Sequence, residues 1–194
     1  MLAQATASVH AQTLLPDAHI VVIDHDRAGA AATRQRALEM ATTDFVAFLD
    51  SDDVFLEKHL EWLMKHQQET GADFVYSWFK ILQQFQNGET RILEEDLVFP
   101  VTHYLNPFDP ENPIETTITT LVRTDLAKKV GFQELNRGQN NSGEDRFFTL
   151  GCLEAGAKIS HLVRKSWLWR HHALPTDGKP GNTSGRPFKG DAAL

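Results

Sequence analysis

The run Phe45-Val46-Ala47-Phe48-Leu49 is wholly apolar and ends abruptly in Asp50-Ser51-Asp52-Asp53. An apolar stretch with no polar face suits a strand covered on both sides, the arrangement of an α/β sheet. Open α/β sheets bind ligands at the carboxyl ends of their strands, and that is where these three carboxylates fall. Crowded carboxylates repel one another, so such a cluster is stable mainly where a cation, hydrogen-bond donors or water offset the charge. Hard oxygen ligands of this sort suit Mg²⁺ or Mn²⁺, which keep some waters and take further ligands from substrate phosphates. The bland alternative is a solvated loop in which Asp53 caps the following helix.

The neighbouring pattern extends the α/β reading. Leu2, Ala5 and Val9 stand at helical spacing in Leu2 to Gln12. His19 to Asp24 has almost no polar face and reads as a central strand, and Ala30 to Ala41 is helical and carries Arg34 and Arg36. Leu56, Leu60, Leu63 and Met64 form a helical stripe closed by Gly71. This β-α-β-α order predicts parallel strands joined by right-handed crossovers. Further along, Phe74 to Leu82 and Thr90 to Leu93 flank Asn87-Gly88, which favours a type I′ hairpin. Thr116 to Val122 is a β-branched run, and Thr124 is placed to cap a short helix ending at Gly131. Glu144 to Glu154 reads as a helix ended by Gly156, with candidate strands at Lys158 to Val163 and Trp167 to His171. The expected architecture is a doubly wound, mostly parallel α/β sheet with a small antiparallel addition. It occupies residues 1–172, and the Gly/Pro-rich remainder, 173–194, reads as a mobile tail or flap.

Composition closes off several classes. A formal charge of −7 argues against a broad nucleic-acid-binding surface. Cys152 is the only cysteine, which excludes an internal disulfide and a thiolate metal cluster. Its apolar surroundings mark it as a core residue rather than a nucleophile. No apolar run approaches the roughly 20 residues that cross a bilayer, and Met1 to Gln12 lacks the pattern of a secretory signal, so the expected compartment is the cytoplasm.

Four segments together resemble the first half of a GT-A fold, family 2 glycosyltransferase. They are Ser8 to Thr13, the run His19 to Asp24, Ala31 to Leu38, and Phe45 to Asp53 with its DxD motif. The resemblance implies a nucleotide-sugar donor, UDP-linked donors included, and an acceptor hydroxyl on a saccharide, protein or other molecule. It implies that Asp24, Arg34 and Ser51 contact the nucleotide sugar. Asp50 would face the ribose or a Mn²⁺ or Mg²⁺ ion, and Asp52 would ligate that ion. Gly143-Glu144-Asp145 then matches the family's ED motif at a helix start, before the turn Ala155-Gly156-Ala157-Lys158-Ile159. Asp145 matches the base of inverting members, with Glu144 next in line. The run Trp167 to His172 is similar to one that lies beside the diphosphate, which implies donor contact for Arg170 and metal ligation for His172, with His171 in reserve.

The chain departs from that pattern in having His25 where a second Asp is common, and in opening on the helix that follows the family's first strand. An apolar strand at His19 to Asp24 needs neighbours on both edges, so the expectation is a native gene encoding about 10 to 20 more residues upstream. Phe99 to Glu115 is expected to shape the acceptor pocket, and Lys179 to Gly185 to close over the donor. Two other readings compete. Asp50 to Val54 is also similar to the first motif of haloacid-dehalogenase-type phosphatases, in which the first Asp accepts the phosphoryl group. A catalytically weak pseudo-transferase that only binds is the non-enzymatic alternative.

Overall fold

In the computed structural model, residues 1–85, 87–93, 118–133 and 144–172 are described. In chain order the elements are α1 (Leu2–His10), α2 (Ala30–Met40), β1 (Phe45–Ala47), β2 (Val54–Phe55), α3 (His59–Thr70), β3 (Phe74–Gln84), β4 (Thr90–Leu93), β5 (Thr120–Arg123), α4 (Thr124–Val130), α5 (Glu144–Glu154) and β6 (Ile159–His172). The strands form one mixed sheet ordered β1-β5-β3-β6-β2, with β4 added to β3. Its longest pairing is parallel and runs from Phe74 opposite Ile159 to Gln84 opposite His172. The pairings of β1 with β5, β2 with β6, β3 with β4 and β3 with β5 are antiparallel.

Alternation along β3 explains why helices cover both faces. Phe74 and Tyr76 join a core with Leu38 of α2, Leu126 of α4, and Phe148 and Cys152 of α5. On the opposite side Val75 packs with Leu63 of α3. Phe79 and Ile81 meet Val9 of α1 and Leu60 of α3. The doubly wound α/β arrangement is thus built on one strand that is buried on both faces. Burial also pushes the Cys152 thiol up to about 12, in keeping with a core role.

Several sequence expectations are corrected. His19 to Asp24 forms no regular element and pairs with no strand among the described residues, and Val21 and Ile23 are 47% and 54% exposed. The parallel crossovers expected in the first 70 residues are therefore not formed, and β1 finds an antiparallel neighbour in β5. The Asn87-Gly88 turn is not type I′, because only Gly88 of the pair takes positive φ. Gly88 N–H donates to Phe85 O and Phe85 N–H to Glu89 O, a longer loop with glycine at its left-handed position. Thr124 is the first residue of α4 rather than its cap, and Arg123 holds the cap position. The two candidate strands at 158–163 and 167–171 are one, β6, with irregular register opposite Ser77 and Trp78. There Ser166 turns inward, and its hydroxyl meets Ser77 Oγ at 2.6 Å and His59 Nδ1 at 2.7 Å. Burial drives the His59 imidazole down to about 3, so it sits neutral in that network. The 173–194 tail, the 99–115 acceptor region and the 179–185 flap all lie outside the described residues.

Two glycines predict opposite failures. Gly71 ends α3 at φ +64 with open space around a would-be Cβ, so Gly71→Ala should cost about 1 kcal/mol through backbone strain alone. Gly151 lies within α5, and its would-be Cβ would stand 2.6 Å from Val130 Cγ1 of α4. Gly151→Ala should cost about 1–3 kcal/mol by overpacking, and Val130→Ala should recover part of that loss. Urea unfolding of both single variants and the double variant reads the difference; no recovery in the double variant would refute the close-packing account.

Candidate active site

The acidic loop begins where β1 runs out. Asp53 N–H donates to Asp50 O at 3.1 Å, which folds the loop into a tight turn. One oxygen each from Asp50, Asp52 and Asp53 lies within 4.8 Å of the others. Opposite ligands of a Mg²⁺ octahedron stand about 4.2 Å apart, so the spread is only slightly too wide for one hard cation. Ser51 is exposed at the tip of the turn, Asp52 is half-buried and Asp53 is buried. Burial, with the Asp50 charge second, pushes the Asp53 carboxyl well above its usual range, while the Arg170 N–H at 2.9 Å works against that shift. The donor set is all oxygen, and its charge calls for a cation. Oxygen donors of this kind suit a hard divalent cation.

Arg34 connects this loop to the second acidic motif. Its Nη2 donates to both Asp50 oxygens at 2.8 and 2.9 Å, and Nη1 donates to Glu144 Oε1 at 2.8 Å. Burial opposes the guanidinium charge, but Asp50 and Glu144 outweigh it and hold its pKa above the usual value. Helix α2, the end of β1 and the first turn of α5 therefore converge on one cation. Asp145 is next to that contact. Burial pushes its carboxyl up to about 6; the Arg146 N–H at 2.8 Å opposes the shift, and the Glu144 charge reinforces it.

Asp24 holds its own loop. Its two carboxylate oxygens accept from Ala28 N–H at 2.8 Å and Gly29 N–H at 2.9 Å, just before α2. Arg27 takes φ +55 in the same loop. His172 closes β6 with its backbone opposite Gln84, and its side chain is outside the described set. His171 is buried with its ring edge-on to Trp169.

Arg170 is held within the fold. Its side chain is buried, with Nε donating to Asp52 O at 2.6 Å, Nη1 to Gln84 Oε1 at 3.0 Å and Nη2 to Gln4 Oε1 at 2.6 Å. It supports the acidic loop through the carbonyl of Asp52. Sequence reasoning missed Gln4 and Gln84 as its partners, since glutamines in a helix and a strand carry no signal of their own. It also missed Gln12, which donates to Leu56 O at 2.8 Å and accepts from Leu60 N–H at 3.0 Å, tying α1 to the start of α3.

Comparison with known proteins agrees with this geometry. Over 66 residues the chain is 35% identical to a glycosyltransferase named for teichuronic acid biosynthesis, TuaG of Bacillus subtilis (strain 168), covering 34% of this chain and 26% of that one. Over 67 residues it is 34% identical to UDP-Glc:alpha-D-GlcNAc-diphosphoundecaprenol beta-1,3-glucosyltransferase WfgD of Escherichia coli, with the same two coverages. The chain thus spans about a quarter of the length of these relatives. Among solved structures it superposes on S. aureus TarS 1-349 in complex with UDP at a TM-score of 0.59 and 20% identity, over 87% of this chain and 56% of that one. At that identity the likeness is one of fold, and it is the GT-A-like α/β fold. These comparisons favour the transferase reading over the phosphatase one. The family model described as glycosyl transferase family 2 matches residues 3–131, well over half of the chain, so the chain belongs to that family.

Proposed function

We propose that the chain is a nucleotide-sugar-dependent glycosyltransferase that moves the sugar to an acceptor hydroxyl with inversion. A divalent cation would be held by Asp50 and Asp52. The observation that carries this is the Arg34 bridge, which joins Asp50 of the acidic loop to Glu144 in the first turn of α5, a residue 110 positions from Arg34 itself. This supports a reading in which the leaving group and the base meet beside Arg34. When bound, Mn²⁺ or Mg²⁺ supplies charge neutralisation for the departing diphosphate.

The chain's own residues do the rest. Arg34 orients Asp50 and adds positive charge beside the phosphates, while Ser51 and the Asp24 loop line the nucleotide side. Arg170 keeps the acidic loop on the sheet. Asp145 takes the proton from the acceptor hydroxyl as its oxygen attacks the anomeric carbon. The bond to the donor's phosphate oxygen breaks, and the nucleoside diphosphate leaves with the electron pair. Glu144, held by Arg34, sets the position of the helix start. A structure of similar fold, S. aureus TarS 1-349 in complex with UDP-GlcNAc, superposes at a TM-score of 0.51 and lends support to a UDP-linked donor. His172 remains a candidate metal ligand by its place at the end of β6.

Three outcomes are expected. UDP should raise the thermal midpoint only with Mn²⁺ or Mg²⁺ present, by about 2.7 kcal/mol of stabilisation at 100 times its dissociation constant. Asp52→Asn should remove that metal-dependent part, and equal stabilisation in EDTA would contradict the cation's role. Asp145→Asn should lower turnover by about 10² to 10⁴-fold while donor binding survives. Its pH behaviour fixes the sign. The folded carboxyl titrates near 6, above its ordinary 3.8, so the folded state binds the extra proton between those values and gains stability as pH falls through that window. Above it the buried charge is a burden, and Asp145→Asn should therefore melt higher than the parent at pH 7 to 8. In the parent, kcat/KM should fall below about pH 6 as the base is protonated. Finally, product NMR should reveal a β linkage from an α-linked donor, because one base without a protein nucleophile implies a single displacement; retention would overturn that mechanism.

A further inference from the structure

Away from the acidic site, two imidazoles meet on the surface. His10 is the last residue of α1, and His19 opens the irregular segment that leads to Asp24. Between them the chain makes an excursion of eight residues, Ala11 to Ala18. Its first part is fastened: Gln12 Nε2 donates to Leu56 O, and Thr13 N–H donates to Glu57 O at 2.9 Å. Its middle carries Leu14 and Leu15, which are exposed, followed by Pro16, which has no N–H to give. At the far end His19 Nδ1 stands 3.3 Å from His10 Nε2, with ring planes at 89°.

That separation has a second meaning besides a hydrogen bond. Two nitrogens on a tetrahedral Zn²⁺ at bond lengths of 2.0–2.1 Å lie about 3.3–3.4 Å apart. We propose that His10 and His19 form a two-histidine site for a divalent transition-metal ion, Zn²⁺ or Cu²⁺, which staples the Ala11–Ala18 excursion to the end of α1. Without the ion, one ring donates its N–H to the other ring's lone pair. With it, the donating ring carries its proton on its outer nitrogen, both inner lone pairs bind the metal, and the neutral pair releases no proton. Both outer nitrogens belong to exposed residues, so water can accept that proton's hydrogen bond. Burial, then the neighbouring His10, holds the His19 imidazole below its usual pKa, which keeps it in the metal-binding form near neutrality. Water completes the coordination. Imidazole nitrogens select Zn²⁺ and Cu²⁺ over Mg²⁺, so this site is chemically separate from the all-oxygen cluster at Asp50, Asp52 and Asp53.

The test uses untagged protein in millimolar Mg²⁺, titrated with Cu²⁺ by calorimetry, with EPR to count the bound nitrogens. The parent, His10→Gln, His19→Gln and Asp52→Asn are compared after far-UV circular dichroism confirms that each is folded. The parent should bind one Cu²⁺ through two nitrogens. Either histidine variant should lose at least about tenfold in affinity, since the second ligand acts at high effective concentration. Zn²⁺ should raise the thermal midpoint of the parent but of neither histidine variant. Asp52→Asn should bind Cu²⁺ like the parent. The proposal is overturned by parent-like affinity in either histidine variant, by single-nitrogen EPR, or by no measurable binding. Loss of Cu²⁺ in Asp52→Asn would also sink it by placing the ion on the acidic loop. These outcomes are independent of whether the acidic loop itself supports sugar transfer.

Discussion

The guanidinium of Arg170, a residue only 2% exposed, fastens the acidic loop to the body of the fold. It reaches Gln4 in α1, Gln84 at the end of β3 and the carbonyl of Asp52, and its own N–H holds the Asp53 carboxylate. A buried charge is tolerated only when its donors are satisfied, and satisfying them here pulls four parts of the chain to one point. The loop that would meet a ligand is therefore mounted on an element far from it in sequence. Its exposed tip, Ser51, is free of that duty, and the half-buried Asp52 is held through its carbonyl.

Above the loop the electrostatics run the other way. Asp50, Asp52 and Asp53 crowd together, and Glu144 with Asp145 adds two more acids from α5. Arg34 is the counterweight, shared between Asp50 and Glu144. Acids in the first turn of a helix are favoured by the helix dipole, which steadies Glu144 and Asp145 on their own element. What the dipole does not offset is burial, and Asp145 accordingly holds its proton to a higher pH than an exposed carboxyl does. A site that concentrates negative charge gives up stability, and the proposed cation binding and proton transfer would be what it gains. Such a compromise is common where local rules are broken for function.

The close approach of α4 and α5 supplies the rigidity behind this. Gly151 lets Val130 nest against the α5 backbone, and Phe48, Phe132 and Phe148 interlock beneath, with Phe132 and Phe148 stacked at 4.4 Å. Gln35 of α2 accepts from Phe132 N–H at 2.9 Å, so the helix that carries Arg34 is tied to the segment after α4. The partners of the Arg34 bridge are thus held by packing as well as by charge.

The sequence by itself determined the class of the fold and the identity of the acids. Helical periodicity placed α1, α2, α3 and α5 to within a few residues, because a 3.6-residue stripe of apolar side chains has few other uses. The apolar run ending in Asp50 to Asp53, and the acids opening α5, were legible because charge next to a buried strand or at a helix start needs a reason. Pairing was not legible. His19 to Asp24 has the composition of a central strand, yet a strand exists only where a neighbour meets its backbone, and among the described residues none does. Nor could the chain announce that Arg170 would turn inward, or that Arg34 would span from Asp50 to Glu144. Apart from the pair Arg34 and Asp50, 16 residues apart, those contacts join residues 86 to 166 apart, and only the folded sheet brings them to within hydrogen-bond distance. Composition and periodicity are local properties and fix local structure; which buried charge meets which partner is decided by the tertiary packing that excludes water around them.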